Sequence, residues 1–175
     1  MELNINPTIF REYDIRGIAG KDLTPAFARA LGLSYAKYLS THTTPQKTSR
    51  HFTVSLGWDC RLSSNDYKTA LAEGLIAGGL DVITLGVCPT PLVYFSLFHL
   101  DVDGGVMITG SHNPADYNGF KTCVGHDTLF GSQIQELKKI MQSNPSSSSQ
   151  RGNLTDYTII PHYIDHLVKN ATFLK

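Results

Sequence analysis

Ser111 lies in the stretch Gly105-Val-Met-Ile-Thr-Gly-Ser-His-Asn-Pro114, and its surroundings point to anion chemistry. Val106-Met-Ile108 is an apolar run that predicts a buried strand, ending at Gly110. A hydroxyl follows at once, flanked by His112, Asn113 and Pro114, with Lys121 further on. A serine at a strand end, on a loop rich in backbone donors and near a lysine, suits covalent handling of an anion. Phosphate is the first candidate. Phosphoryl transfer needs positive charge and N–H groups around the phosphate oxygens. Ser111 as phosphate carrier, Lys121 as counter-charge and His112 as proton-transfer group meet that need.

Other chemistries fit less well. A turn serine bonded to its own loop is the plainest alternative. The nucleophile elbow Gly-x-Ser-x-Gly fails, because Thr109 and Asn113 stand where glycines belong. His112 is the immediate neighbour of Ser111, and adjacent side chains normally diverge, so a serine-hydrolase triad is disfavoured. A second constellation is Phe10-Arg-Glu-Tyr-Asp-Ile-Arg-Gly17. It is either a solvated charged turn or a loop offering the planar fork of Arg16 to a phosphate. Trp58-Asp-Cys-Arg61 sits between a strand and a helix, where α/β sheets place ligands, but a structural Asp59–Arg61 pair fits equally. His162 and His166 have the spacing of helix metal ligands, without a glutamate between them or a third ligand.

The elements that must position these groups alternate. Thr24-Pro25 reads as helix cap and first-turn proline. Phe27, Leu31, Tyr35 and Tyr38 then predict a helix over about 24–39. Residues 41–50 read as a loop. His51 to Leu56 alternates as a strand, and 57–62 reads as a connection. Ser63 or Ser64 caps a helix carrying Tyr67, Leu71 and Leu75. A strand follows at 82–85 and a turn at 86–90. Thr90-Pro91 caps a short helix to about 99. The extended stretches 104–109 and 118–124 pair antiparallel. Ser132 opens a helix with Ile134, Leu137 and Met141 on one face. The pattern predicts an α/β fold, a mixed β-sheet flanked by helices. Residues 1–143 form the main domain, 144–154 a polar linker or loop, and 155–175 a helix with the apolar stripe Tyr163, Ile164, Leu167 and Val168.

Composition narrows the class. Fifteen basic residues balance fifteen acidic ones among 175, which argues against a general nucleic-acid surface. Cys60, Cys88 and Cys123 are odd in number and widely spaced, without a CxxC. That predicts free thiols in a reducing, cytoplasmic setting rather than a disulfide framework. No segment has the length and apolarity of a membrane span or signal peptide.

Tyr13-Asp-Ile-Arg-Gly17, Gly57-Trp-Asp-Cys-Arg61, Cys88-Pro-Thr-Pro91 and above all Thr109-Gly-Ser-His-Asn-Pro-Ala-Asp-Tyr-Asn-Gly-Phe-Lys121 resemble the α-D-phosphohexomutases, in the right order. The bacterial phosphomannomutase/phosphoglucomutase branch is the nearest likeness. The resemblance implies that Ser111 is carried as phosphoserine and exchanges its phosphoryl group with hexose phosphates through a bisphosphate. It implies Arg16 and Lys121 as charge stabilisers that bind substrate, Tyr13 near the sugar, and His112 as acid/base group. It also implies Mg²⁺ held through the Ser111 phosphate, with the other ligands, an Asp-x-Asp-x-Asp loop, absent from this sequence. The expectation is therefore a first domain that is not competent alone and whose partners are the remaining domains of the same protein. The alternative is a truncated paralogue kept as a binding or regulatory module.

Overall fold

Period-two alternation and buried apolar runs become strands, and the 3.6-residue stripes become helices. The computed structural model describes residues 5–43 and 51–171. Most of the loop expected over 41–50 lies outside that range, as do residues 1–4 and 172–175.

The elements run β1 (Ile15–Ile18), α1 (Pro25–His42), β2 (Thr53–Trp58), α2 (Ser64–Ala77), β3 (Asp81–Val87), α3 (Thr90–His99), β4 (Gly104–Ile108), β5 (Tyr117–Val124), β6 (Asp127–Thr128), α4 (Ser132–Gln142), β7 (Leu154–Asp156) and α5 (Ile160–Asn170). One mixed sheet has the order β1-β5-β4-β2-β3-β7, with β6 on β5. Strands β4, β2, β3 and β7 are parallel, and β5 is antiparallel to both β4 and β1. The antiparallel pairing expected of 104–109 and 118–124 is present, with Ile108 opposite Phe120.

Two layers cover the sheet. On one face α1, α2 and α4 bury Phe27, Leu31, Tyr35, Leu71, Leu75, Ile134 and Leu137 against Leu56, Val106 and Phe120. On the other, α3 packs Leu92 and Val93 against Leu85 and Met107, and Ile159 closes the cluster from the start of α5. The chain leaves β2 through α2 to β3, then returns through α3 on the opposite face to β4, on the far side of β2. The winding direction therefore reverses between β2 and β4. Their C-terminal ends stay paired, Trp58 opposite Ile108 and Asp59 N–H bonded to Ile108 O at 2.9 Å, and the loops leaving those ends occupy the position that such sheets favour for ligands.

Several boundaries differ from the sequence expectation. Gly57 and Trp58 continue β2, because Cys88 N–H donates to Trp58 O at 2.9 Å and holds the segment extended. Thr24 does cap α1, accepting from Phe27 N–H. Thr90 does not cap α3; it is already helical and Pro89 is the cap residue. Ser63 precedes α2 without a side-chain cap bond. Its hydroxyl and that of Ser64 instead accept from the buried Asn118 amide at 2.8 and 3.0 Å. The polar stretch after α4 is tied back to α2 by Ser148 N–H to Ala77 O and Gly152 N–H to Ile76 O. It leads into β7, a three-residue edge strand with every side chain exposed. His162 and His166 sit in an aromatic cluster with His99, Phe95 and Tyr157 between α3 and α5.

All three cysteines are free thiols, Cys60 exposed and Cys88 and Cys123 buried. Loss of hydration pushes both buried thiols up to about 11. A thiol buried in its neutral form stabilises the fold fully below its unfolded value near 9, and this contribution is lost as pH rises toward 11. Two pH units correspond to about 2–3 kcal/mol per thiol. The melting temperature is therefore expected to fall steeply across this alkaline range, and less steeply in Cys88→Ala and Cys123→Ala. At neutral pH a thiol reagent should modify Cys60 alone; modification of a second cysteine in the native protein contradicts the burial.

Candidate functional site

Ser111 stands at the reversal point between β2 and β4, in the connection 109–116 that joins β4 to β5. Its backbone is left-handed, φ 53°, a region that residues with a Cβ rarely adopt. Two local bonds hold it: Ser111 N–H donates to Thr109 Oγ1 at 2.8 Å, and Asn113 N–H to Gly110 O at 3.0 Å. The exposed hydroxyl lies 3.3 Å from His112 Nδ1. The expectation that these neighbours diverge is thus corrected, because the left-handed turn swings the two side chains together. Among the described residues no carboxylate holds the other ring nitrogen of His112, so the pair lacks the third member of a triad.

Arg61 shapes this loop. Its Nη1 donates to Pro114 O at 2.6 Å and Tyr117 O at 2.9 Å, and its Nη2 to Ser111 O at 3.1 Å and Asn113 O at 2.6 Å. Nε faces Asp59 Oδ2 at 3.4 Å. Asp59 in turn accepts from Gly110 N–H, Arg61 N–H and the Ser64 hydroxyl. The end of β2 therefore builds a clamp for the loop after β4. A Cβ at Gly110 would overlap the Arg61 guanidinium, which explains the glycine. Of the two interpretations open for Asp59–Arg61, the structural pair is the one observed.

Arg16 and Lys121 come together. Arg16 stands opposite Gly119 on β1–β5, and Lys121 is two residues along on the same face. Arg16 Nη1 donates to Asn113 Oδ1 at 3.1 Å, so β1 reaches the serine loop. Arg16 Nη2 and Lys121 Nζ, the latter at 3.3 Å, both bond Asp14 Oδ2. Asp14 and Asn113 are the members that sequence reasoning did not single out as site residues. Asp14 looked like part of a charged turn, but it is 7% exposed. It lies just before β1, and its spacing of two residues from Arg16 was the available signal. Tyr13 is 66% exposed and is not hydrogen-bonded into this cluster.

The described residues do not by themselves fit a magnesium ion. Such an ion takes six oxygens in near-ideal geometry. Ser111 offers one, while Asp59 and Asp14 are engaged by arginine and lysine. No group of three or more His, Cys, Asp or Glu among the described residues is placed to hold a metal.

Fold and site together define a three-layer α/β domain that presents a serine hydroxyl at its switch point, beside an arginine–lysine–aspartate cluster. A family profile described as phosphoglucomutase/phosphomannomutase, alpha/beta/alpha domain I, matches residues 7–148. The chain belongs to this family. It is 38% identical over 168 residues to a phosphomannomutase of Vibrio cholerae, covering 94% of this chain and 35% of that protein. Against a phosphoglucomutase of Neisseria meningitidis it is 39% identical over 166 residues, with the same two coverages. A crystal structure of a phosphoglucomutase/phosphomannomutase family protein from Burkholderia thailandensis aligns with TM-score 0.84 at 34% identity, over 95% of this chain and 36% of that one. The chain thus spans about 35% of the length of the curated relatives it matches.

Proposed function

We propose that this chain is the serine-bearing domain of a hexose-phosphate mutase acting on mannose or glucose phosphates, with Ser111 as the phosphoryl carrier. The observation that carries the proposal is Ser111 at the reversal point of the sheet, on a loop joined to Arg16 through Asn113. A hydroxyl oxygen of the sugar phosphate attacks phosphorus on phospho-Ser111, and the bond from phosphorus to Oγ breaks. The sugar hydroxyl gives up its proton and Ser111 regains one; His112 acts as the acid/base group that moves it, a reading supported by the 3.3 Å separation of its Nδ1 from Oγ. The bisphosphate then reorients and returns its other phosphoryl group to Ser111, so atoms and charge balance over the cycle. Arg16 and Lys121 offset the charge on the phosphate oxygens, and Tyr13 flanks the sugar. A Mg²⁺ ion at the Ser111 phosphate would take its remaining ligands, like the sugar its specificity contacts, from other domains of the same protein. The 175-residue chain alone is then inactive.

Intact-mass measurement of protein taken from its native cells tests this. One phosphate is expected, located at Ser111 and missing in Ser111→Ala. A phosphate that persists in Ser111→Ala contradicts the carrier role. Turnover of mannose 1-phosphate by the purified 175-residue chain contradicts the incomplete site.

A further inference from the structure

Asp14 takes no part in the transfer proposed above, yet it is a buried charge beside the serine loop with two cations on it. One oxygen, Oδ2, accepts from both Arg16 Nη2 and Lys121 Nζ. Two cations thus share one buried carboxylate and remain under-neutralised. The other arm of the guanidinium is held by Asn113 of the serine loop. Arg16 Nε is buried without any acceptor, and a buried N–H left unpaired costs stability. The cluster is held in place but lacks negative charge, which an oxyanion at the neighbouring exposed loop supplies.

We propose that Asp14 is a positioning residue that stores Arg16 and Lys121 and competes with phosphate for them. This rests on Ser111 as a phosphate carrier. With no anion at the loop, the carboxylate fixes both cations where they will be needed, so little reorganisation is left for the moment of binding. When phosphate arrives, the cations share or exchange the carboxylate for phosphate oxygens. The same carboxylate repels the incoming dianion. It therefore weakens phosphate binding while keeping the cations aligned, a trade of ground-state affinity for placement.

The test uses inorganic phosphate as the probe, titrated calorimetrically into the unphosphorylated chain at low salt. Asp14→Asn keeps the volume and an acceptor oxygen but removes the charge. It is expected to bind phosphate about tenfold more tightly than the wild type, the order of one unit-charge interaction in a partly buried site. A residue that merely supported the fold would give equal or weaker binding when replaced, and that result overturns the proposal. A second measurement needs no variant: phosphate titration of the wild type should shift the Asp14 carboxyl and Lys121 Nζ nuclear magnetic resonances together. Saturation that moves neither overturns it. If Arg16→Ala abolishes phosphate binding while Asp14→Asn matches the wild type, Asp14 has no such role and the serine assignment stands. If no version of the chain binds phosphate, the role of Asp14 is overturned, and the intact-mass measurement on Ser111→Ala decides the serine assignment separately.

Discussion

Replacing Arg61 by alanine is expected to cost about 3 kcal/mol of stability and to leave the serine loop without a fixed shape. The side chain donates to four backbone carbonyls, those of Ser111, Asn113, Pro114 and Tyr117. No other donor is placed to take over all four. Asp59 would also lose its guanidinium partner while staying largely buried. Arg61→Lys rescues little, since an ammonium is a point donor and cannot span four acceptors with a planar fork. Urea denaturation reads the stability, and amide line widths over 110–116 read the loop. A variant within about 0.5 kcal/mol of the wild type would place Arg61 among ordinary surface residues.

Gly74→Ala should cost a comparable amount, and here the sign is the informative part. Helix propensity alone predicts a gain of about 1 kcal/mol for glycine to alanine inside a helix. At Gly74, however, a Cβ would overlap the carbonyl oxygen of Arg29 in α1. The facing position is equally tight: a Cβ on Gly32 would lie 2.6 Å from Leu71 O and 2.7 Å from Leu75 N. These are backbone atoms, which cannot rotate aside. The two helices must separate, loosening the packing around Leu31, Tyr35, Leu71 and Leu75. Overpacking of this kind costs typically 1–3 kcal/mol, and the upper end applies when backbone meets backbone. Chemical denaturation decides it: a more stable Gly74→Ala protein would mean the helices are not in close contact.

The sequence announced what residue types can announce. Thr24-Pro25 marks the start of α1, the stripe Ile134, Leu137 and Met141 marks α4, and the apolar run 106–108 ending in Gly-Ser marks the site strand. Strand β7 was missed because three exposed residues on a sheet edge carry no alternation of apolar and polar side chains. The Arg61 clamp was open to two interpretations because its acceptors are carbonyls, and every residue has one. Asp14 was hidden among the charges of Phe10 to Gly17. Only the pairing of β1 with β5 brings Lys121 to it and shows a buried counter-ion where a solvated turn was equally plausible.

The bonds of the Arg61 clamp bridge sequence separations of 50 to 56 residues. Such contacts form only after the intervening chain has closed, at an entropic cost that local turns do not carry. The serine loop therefore gains its clamped shape only once β2 and β4 are side by side. A nascent or partly unfolded chain carries Ser111 on slack backbone, apart from Arg16 and Lys121. Loading of the phosphate proposed above onto Ser111 would then require that the domain has first closed β2 against β4.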